Sequence, residues 1–272
     1  MKKFTEAKGS NRKNLLIVDS LNLSFRWKHK KETSFANKLV DTIRSLASSY
    51  EAKKVIVLGD AGSIWRKAIY PEYKANRKEK YADQTEQEKQ EFEDFILEYS
   101  KGLEMCTAHY PVFRLEGIEA DDIAAYITKH YAQDYEHTWL ISTDADWDLL
   151  LNNNVSRFSY TKRKEITLYT WSQFYDYEPE DHIHIKVLMG DSGDNVPGVP
   201  GIGPTRARQL IRDYGDGFDI HASLPLPGTQ KYIQALNKFG NQLLTNYELM
   251  DLMTYCDDVI GDLSTIIDKE FK

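Results

Sequence analysis

The chain has 272 residues, of which 41% are hydrophobic and 28% charged, as in an ordinary globular protein with one large domain or a large and a small one. No apolar run approaches the roughly 20 residues of a membrane span, and the polar residues 1–10 lack the apolar centre of a signal peptide. Cys106 and Cys256 lie far apart without a CxxC pair, so we expect two reduced core thiols. These features predict a cytoplasmic protein without a membrane partner.

Three buried strands are predicted, and each ends at an aspartate. Residues 14–19, 54–60 and 138–144 are nearly continuous apolar runs, which are typical of strands covered on both faces in a parallel sheet. Apolar spacing predicts helices near residues 34–50 and 119–132, the second beginning at Glu119. Because strands alternate with helices, we predict an α/β fold with a mostly parallel sheet.

Residues 66–105 form an insertion longer than an ordinary connection between strands. Its first part, residues 66–81, is rich in Lys, Arg and Tyr, and residues 92–103 have the spacing of an amphipathic helix. Lys and Arg suit phosphates, and Tyr rings stack on exposed bases. A solvated surface helix is the simpler interpretation of such a charge run, and the residues alone leave both open.

The strand pattern fades after Tyr169, and residues 179–272 have a helical pattern. A Gly/Pro turn at 197–204 and a second break at 224–228 interrupt it. We therefore predict two domains, an α/β domain over residues 1–178 and a smaller helical one over 179–272.

Acidic residues gather where the predicted strands and helices meet. The carboxyl ends of parallel strands share one edge of a sheet, so acids there are expected to be neighbours despite their distance in sequence. The candidate metal ligands are Asp19, Asp60, Glu119, Asp121, Asp122, Asp144, Asp146, Asp191 and Asp194. Helix capping explains any one cluster. The whole set instead predicts two cations of the Mg²⁺ or Mn²⁺ type, which would activate water for phosphodiester hydrolysis.

The net charge of −7 at first argues against a nucleic-acid partner. Without the nine candidate ligands, however, the remaining residues carry a charge of +2. A mildly basic surface around an acidic, metal-binding centre is compatible with phosphate binding.

Asp191 and Asp194 stand three residues apart, a spacing that lets both carboxylates point the same way from a helical turn. The glycine-rich turn 198–203 follows, and a basic helix then begins. This turn is no Walker loop, because no Gly-Lys-Ser/Thr follows it. It fits a helix–hairpin–helix element whose backbone N–H groups grip a duplex phosphate, although a plain helix–helix turn is the alternative. The basic residues that favour a phosphate role are Arg206, Arg208 and Arg212.

Three further residues have weaker signals. Asp148 is interpreted as a metal ligand, a helix cap or a solvated acid. His182 and His184, two residues apart, would share one face of a strand, but without a third ligand nearby a zinc site is not expected.

Six motifs resemble, in the same order, those of the 5′-nuclease family, the flap endonucleases and 5′–3′ exonucleases, and most closely its phage-encoded members. They are IVDSLN at 17–22, LGD at 58–60, PEYKANR at 71–77, GIEADD at 117–122, STDAD at 142–146 and MGDSGDN at 189–195. The resemblance extends over nearly the whole chain.

This resemblance implies a PIN-like core with flanking helices over 1–178, a helical arch at about 66–105 through which a single-stranded 5′ arm passes, and a helix–three-turn–helix, DNA-binding region over 179–272. The first five of the nine acids match the family's first metal site, and the last four match its second. Tyr73, Lys74 and Arg77 match arch-base residues that steer the scissile phosphate. Further residues match DNA-contacting positions: Arg26, Lys186, Gly198, Gly201, Gly203 and Arg206.

The same turn resembles a loop that holds K⁺ in this family. One residue departs from the pattern, because Thr205 stands where many members carry lysine. One phosphate contact is therefore expected to be lost or shifted.

The expected function is that of a divalent-metal-dependent, structure-specific 5′ nuclease. It would cleave 5′-flap, branched or nicked DNA in replication or repair, act also as a 5′–3′ exonuclease, and work as a monomer in the host cytoplasm if phage-encoded. Two alternatives remain open. A PIN-type ribonuclease acting on RNA would not need the turn or the arch, and a non-catalytic junction-binding protein would tolerate loss of the acids.

Overall fold

The computed structural model describes residues 13–272, apart from the side chain of Glu79, so the polar N-terminal segment discussed above lies outside the described residues. No helix within the described part is long and apolar enough to cross a membrane. The chain divides into two compact units. The first contains residues 13–62, 90–168 and 260–272, and the second contains residues 63–89 and 169–259.

Strands occur throughout the described part of the first unit. They are β1 (Asn14–Asp19), β2 (Ala52–Leu58), β3 (Val112–Phe113), β4 (Thr138–Ile141), β5 (Val155–Ser159) and β6 (Lys164–Ile166). They form one sheet in the order β3-β2-β1-β4-β5-β6, parallel except for the antiparallel pair β5–β6. The predicted mostly parallel sheet is therefore confirmed. The pattern missed β3, β5 and β6, because each is too short or too polar to form a continuous apolar run.

The α-helices alternate with these strands and then follow them. In chain order they are α1 (Ser20–His29), α2 (Ala36–Ser49), α3 (Ile64–Ile69), α4 (Ala75–Ala82), α5 (Glu86–Thr107), α6 (Ala120–Tyr131), α7 (His182–Met189), α8 (Pro204–Tyr214), α9 (Gly217–Ala222), α10 (Lys231–Met250), α11 (Leu252–Ile260) and α12 (Ser264–Asp268). The predicted insertion is thus helical over α3, α4 and α5. Its role as a passage for single-stranded DNA stays a prediction.

The core of the first unit lies where α1, α2 and α5 pack on the sheet. Residues 15–18 of β1 are fully buried, as predicted for a strand covered on both faces. In α2, the predicted apolar positions Leu39 and Ile43 are also fully buried, and the adjoining Phe35 stacks on Trp27. Both free thiols, Cys106 and Cys256, are buried, which confirms the prediction of reduced core cysteines.

The second unit is built on helices that surround a separate apolar core. Val187 and Leu188 of α7, Ala207 of α8 and Leu243 of α10 are buried in it. The predicted turn at 197–204 separates α7 from α8, and the predicted break at 224–228 separates α9 from α10. Because the compact units follow contacts rather than chain order, the domain boundary at residues 178/179 stays a prediction.

Candidate active-site residues

Three neighbouring strands bring aspartates to one edge of the sheet in the first unit. Asp19 is the last residue of β1, Asp60 follows the end of β2, and Asp144 follows the end of β4. Because β1 lies between β2 and β4, these side chains are neighbours, and the charges of Asp60 and Asp144 both act on Asp19. The start of α6 adds three further acids: Glu119, Asp121 and Asp122.

Hydrogen bonds hold the backbone of this edge in place. The Asp60 carboxylate accepts the Ala120 N–H at 2.8 Å, which attaches the first turn of α6 to the end of β2. The Asp19 carboxylate accepts the Asn22 N–H at 3.1 Å through Oδ1 and the Ser142 hydroxyl at 2.9 Å through Oδ2. The acids are therefore positioned by strand ends and helix starts, as the sequence predicted.

Helix capping does not account for the acids at the start of α6. Glu119 occupies the N-cap position, but its side chain makes no capping hydrogen bond. Asp122, in the first turn, is buried, and an acid that only offset the helix dipole would remain in solvent. The alternative explanation of this cluster is therefore weakened.

The electrostatics of this edge are those of crowded carboxylates. Burial, and then the nearby charge of Asp60, raise the pKa of Asp19 to about 8. Burial, together with the charges of Asp144 and Asp60, also raises the pKa of Asp121 well above its usual range. A divalent cation would relieve both effects, because it supplies opposite charge and accepts oxygen ligands. The donor set thus fits a hard cation.

Carboxylates of this edge accept hydrogen bonds from nearby protein groups. Among the described residues, no group of three or more His, Cys, Asp or Glu side chains is arranged to hold a metal ion. Protein donors use the carboxylate oxygens instead: Asp144 Oδ1 accepts the Asp146 N–H at 2.9 Å, and Asp121 Oδ1 accepts the Trp147 indole N–H at 2.6 Å. Each of these two hydrogen bonds engages a single carboxylate oxygen.

Asp148 belongs to a buried ion pair. Arg157 Nε donates to its Oδ1 at 2.6 Å, and Arg157 Nη2 donates to its Oδ2 at 2.7 Å. Both residues are buried. Of the three interpretations of Asp148, the solvated acid is therefore wrong. The paired carboxylate has a structural role next to the predicted ligands.

Asp191 and Asp194 lie in a tight loop of the second unit, so the prediction of a helical turn is wrong. Gly190, with φ of 68°, ends α7 just before them. Asp191 and Val196 exchange backbone hydrogen bonds of 2.9 and 2.7 Å, which closes the loop. Asp191 Oδ1 also accepts the N–H groups of Gly193 at 2.7 Å and Asp194 at 3.2 Å. The Asp191 side chain therefore fixes the position of Asp194.

The Asp194 carboxylate gathers the residues of the predicted arch base. Its Oδ1 accepts the Arg77 guanidinium at 2.7 Å, and its Oδ2 accepts the Tyr73 hydroxyl at 2.9 Å and lies 3.5 Å from Lys74 Nζ. The Lys74 N–H donates to the Asp194 carbonyl at 2.8 Å. Lys74 has φ of 58°, a conformation that costs a non-glycine residue about 1–3 kcal/mol. The three residues thus lie beside one predicted metal ligand.

Tyr73 does not match the expectation that tyrosines of this segment stack on exposed bases. Its side chain is only 4% exposed and packs in the core of the second unit. Arg66 is likewise buried, with Nε donating to the Leu249 carbonyl at 2.8 Å. Both residues stabilise the segment, whereas Arg77 and Tyr81 remain exposed.

The glycines of the turn at 198–203 have different roles. A Cβ at Gly198 would lie 1.8 Å from the Met189 carbonyl oxygen, so only glycine fits there. Gly201 has φ of 83°, which also favours glycine. Gly203 is the N-cap of α8, and a Cβ there would meet no atom within 4 Å. The fold therefore requires glycine at the first two positions but not at Gly203.

The arginines after this turn contact other protein groups. Arg206 donates to the Gly201 carbonyl and lies 4.8 Å from the centre of the Tyr232 ring. Arg208 pairs with Asp176, and Arg212 donates to Gln209 at 2.8 Å. Thr205 is exposed in the first turn of α8. Their roles in phosphate binding stay predictions.

The other two predicted DNA contacts lie in different units. The Arg26 guanidinium lies 4.1 Å from the centre of the Tyr160 ring and 4.8 Å from that of Trp27. Lys186 Nζ is 3.8 Å from Asp191 Oδ2. DNA binding by these two residues stays a prediction.

His182 and His184 lie in the first turn of α7, so their interpretation as a strand pair is wrong. The Nδ1 of His182 shares a hydrogen bond of 2.9 Å with the Tyr177 hydroxyl, and the Nδ1 of His184 shares one of 2.6 Å with the Tyr247 hydroxyl. Both histidines are joined to tyrosines of the helical core.

Several further residues near the predicted ligands join the segments that carry them. Asn22 Oδ1 accepts both the N–H and the hydroxyl of Thr143 at 2.9 Å, which joins α1 to the segment after β4. Asn22 and Thr143 lie within the family-like motifs, so the motifs could have indicated them. Trp147 and Arg157 lie outside the motifs, and only the contacts described above reveal them.

Comparisons with known proteins identify the family of the chain. The family profile described as 5′-3′ exonuclease, N-terminal resolvase-like domain, matches residues 14–177, and that of the 5′-3′ exonuclease C-terminal SAM fold matches residues 177–266. The flap endonuclease of Escherichia phage T5 is 48% identical over 268 residues, which cover 97% of this chain and 92% of that protein. DNA polymerase I of Bacillus subtilis is 27% identical over 259 residues, but these span only 28% of the polymerase.

The fold of the chain is also similar to solved structures of the T5 enzyme. The fold matches a T5 flap endonuclease in a pseudo-enzyme–product complex with DNA and metal ions, with a TM-score of 0.90, 48% identity, and coverage of 95% of this chain and 96% of that one. It also matches T5 5′-exonuclease with bound divalent zinc ions, with a TM-score of 0.89, 48% identity, and coverage of 94% and 96%.

Proposed function

The chain belongs to the 5′-3′ exonuclease family and is a structure-specific 5′ nuclease, and we propose that its nine predicted carboxylates bind the divalent ions of that reaction. DNA is its substrate, and the reaction is phosphodiester hydrolysis. The proposed ions are two or more Mg²⁺ or Mn²⁺, because such hard cations prefer carboxylate oxygens. The T5 structures with bound metal ions support this dependence.

The convergence of strand-end acids carries the proposal. Asp19, Asp60 and Asp144 come from adjacent parallel strands, and the pKa of Asp19 is raised because burial and the charge of Asp60 disfavour its ionised form. Strongly perturbed pKa values of this kind cluster at functional sites. When bound, divalent ions activate a water molecule and offset negative charge on the phosphate.

Lys74 and Arg77 are proposed to act on the scissile phosphate. Their cationic groups lie 3.5 and 2.7 Å from the Asp194 carboxylate, which holds them on one side of the loop at 191–196. Cations in such fixed positions stabilise the charge that develops on phosphate oxygens during hydrolysis. Tyr73, bonded to the same carboxylate, is proposed to orient Asp194 rather than to contact DNA.

The turn at 198–203 is proposed to hold duplex DNA. Its tight backbone and the start of α8 can direct N–H groups and the positive helix end at a phosphate. Further contacts are proposed for Arg26, Lys186 and Arg206, and a K⁺ ion for the turn itself. Such contacts grip the backbone without reading sequence, as expected of an enzyme that recognises DNA structure.

The proposed substrates are 5′-flap, branched and nicked duplexes whose single-stranded 5′ arm enters the arch at about 66–105. The proposal includes 5′–3′ exonuclease activity, action in replication or repair, and a monomeric enzyme. Because the T5 relative is encoded by a phage, we also propose that the protein acts in a host cytoplasm.

The test is cleavage of a labelled 5′-flap DNA with Mg²⁺, with blocked and free 5′ ends and an RNA copy of the same structure. The wild type should cut the flap near its junction, and Asp144→Asn should lose about 10³-fold or more in rate, because that ligand offsets charge in the transition state. Equal rates for the two proteins would contradict the assignment of Asp144. Faster cleavage of RNA would favour a ribonuclease instead.

A further inference from the structure

The indole of Trp147 joins two acidic segments of the first unit. Trp147 is fully buried in the 3₁₀ helix Ala145–Leu150, directly after Asp146. Its Nε1 donates a hydrogen bond of 2.6 Å to Oδ1 of Asp121, in the first turn of α6. We propose that Trp147 is a positioning residue that aims the Asp121 carboxylate at a divalent cation. This inference rests on the proposed metal role of Asp121.

The geometry suits such a role because the terminal torsion of an aspartate is soft. Rotation about this bond has broad minima, so an unsupported carboxylate samples many directions. A donor fixed in the core removes that freedom, and its hydrogen bond to one oxygen leaves the other oxygen for a cation. Partners of this kind, which orient a ligand without touching the metal, typically change metal affinity by about 10- to 100-fold.

The donor is itself held rigidly in place. The neighbouring Asp148 accepts two hydrogen bonds from the buried Arg157 guanidinium, and Arg157 Nη1 donates a third to the Ser142 carbonyl at 3.1 Å. The Ser142 hydroxyl in turn donates to Asp19. The segment 142–148 is thus attached at both ends, so the indole N–H points in one direction.

The hydrogen bond from Trp147 to Asp121 has a donor that is shielded from water. Trp147 is fully buried, so water does not compete for its N–H, and the bond to Asp121 Oδ1 is kept. An N–H donor stabilises the ionised carboxylate. Trp147 therefore contributes to metal binding through both the direction and the charge of Asp121.

The chain offers a matched control in Trp171 of the second unit. Trp171 is also buried, at 3% exposure, and its Nε1 also donates a hydrogen bond of 2.6 Å. Its acceptor, however, is the backbone carbonyl of Tyr177. Phenylalanine at either position removes one buried indole donor, but only Trp147→Phe removes it from a predicted metal ligand.

The experiment measures Mn²⁺ binding to the DNA-free protein by electron paramagnetic resonance, with thermal unfolding in EDTA as the measure of folding. Trp147→Phe should weaken Mn²⁺ binding about tenfold or more, whereas Trp171→Phe should bind like the wild type. The half-saturating Mn²⁺ concentration for flap cleavage should rise in parallel for Trp147→Phe, with most of the rate recovered at saturation. Unchanged affinity in folded Trp147→Phe would overturn the inference.

Asp121→Asn separates this inference from the proposed function. If Asp121→Asn binds Mn²⁺ as tightly as the wild type, the proposed metal role of Asp121 fails. If Asp121→Asn binds weakly and Trp147→Phe binds normally, only the positioning role fails.

A measurement on the wild type covers the case in which Trp147→Phe does not fold. The five indole N–H resonances of ¹⁵N-labelled protein are followed during a Mg²⁺ titration, and that of Trp147 is assigned by substituting the other four tryptophans in turn. The Trp147 signal should shift with the midpoint of Mg²⁺ binding, and the Trp171 signal should not. A Trp147 indole N–H resonance that does not shift as Mg²⁺ binds would overturn the inference.

Discussion

Lys74 combines a strained backbone with a proposed role at the scissile phosphate. Its backbone has a positive φ that a lysine adopts only at a cost, and its N–H is bonded to the Asp194 carbonyl. The result is a side chain, 18% exposed, whose ammonium lies 3.5 Å from a predicted metal ligand. Strain of this kind is common at functional sites, where the surroundings force the conformation.

Lys74→Ala should reduce flap cleavage by about 10²- to 10³-fold, because a cation fixed at the scissile phosphate acts mainly in the transition state. Duplex affinity should fall by less than about threefold, because one phosphate contact among several contributes little to binding. Single-turnover rates and DNA dissociation constants, measured at one salt concentration, test this. Lys78→Ala is the matched control, because Lys78 is an exposed lysine of the same segment. Equal losses of binding and cleavage would contradict the assigned role.

Asp148 illustrates the limit of residue-level prediction. In sequence it resembles its neighbours Asp144 and Asp146, which follow the same strand. Its carboxylate is nevertheless fully paired with Arg157, nine residues further along the chain. Sequence spacing does not reveal which acid of a cluster receives a buried guanidinium, because that depends on which face of the 3₁₀ helix points into the core.

In the turn between α7 and α8, the fold requires glycine at one position and leaves room for a side chain at another. Gly198 lies so close to Met189 that no side chain fits, because the loop at 191–196 returns the chain to the end of α7. Gly203 has open space around its Cα and an ordinary φ of −109°. Glycine at position 203 is therefore explained better by the close approach of a ligand than by the fold.

Gly203→Ala should keep the fold and weaken duplex DNA binding. Its effect on the free energy of unfolding should be within about 0.5 kcal/mol, as for an unconstrained surface position. Duplex affinity should fall about tenfold, because the added methyl group keeps the phosphate away from the N–H groups of α8. Denaturant unfolding and fluorescence anisotropy with a nicked duplex measure the two effects.

Gly198→Ala is the opposite case and serves as the control for Gly203→Ala. The new methyl group would overlap the Met189 carbonyl, so this variant should lose several kcal/mol of stability, on the order of other overpacked sites. Normal DNA affinity in Gly203→Ala would show that the turn does not approach the phosphate at this residue.

At the scale of the whole molecule, we expect the predicted metal ligands to oppose folding in the absence of cations. The nine predicted ligands account for more than the whole net charge of −7, because the remaining residues carry +2. At the sheet edge, burial and mutual repulsion raise the pKa values of Asp19 and Asp121. Function is therefore expected to reduce the stability of the metal-free protein, a common consequence of active-site design.

Asp121→Asn should have opposite effects on stability with and without metal. In EDTA it should raise the unfolding midpoint, because a neutral amide replaces a buried carboxylate among like charges. In Mg²⁺ at 100 times the dissociation constant, the wild type should gain about 2.7 kcal/mol, and the variant should gain less at the same concentration. Thermal unfolding with and without Mg²⁺ tests both signs.

Asp262→Asn is the control, because Asp262 is an exposed acid of the same unit. It should leave the Mg²⁺-dependent increase in the midpoint unchanged. A variant Asp121→Asn that unfolds earlier than the wild type in EDTA would show that the carboxylate does not carry the expected electrostatic cost.

The amino-acid sequence by itself determined the fold class, the places where acids meet strand ends, and the family. Continuous apolar runs such as residues 15–18 indicate strands covered on both faces, and their order along the chain determines which edge their acids share. These patterns involve residues close together in sequence, so they can be recognised without knowledge of tertiary contacts. Glu119, predicted as a helix start, is the N-cap of α6 for the same reason.

Only the tertiary structure decided what each polar group contacts. Trp147 reaches Asp121 across 26 positions, and Asp194 gathers Tyr73 and Arg77 across 121 and 117 positions of the chain. Such pairs depend on side-chain torsions and on packing between elements distant in sequence, which no spacing rule encodes. The sequence therefore predicted which residues could bind metal and phosphate, while folding determined which of them are oriented, paired or buried.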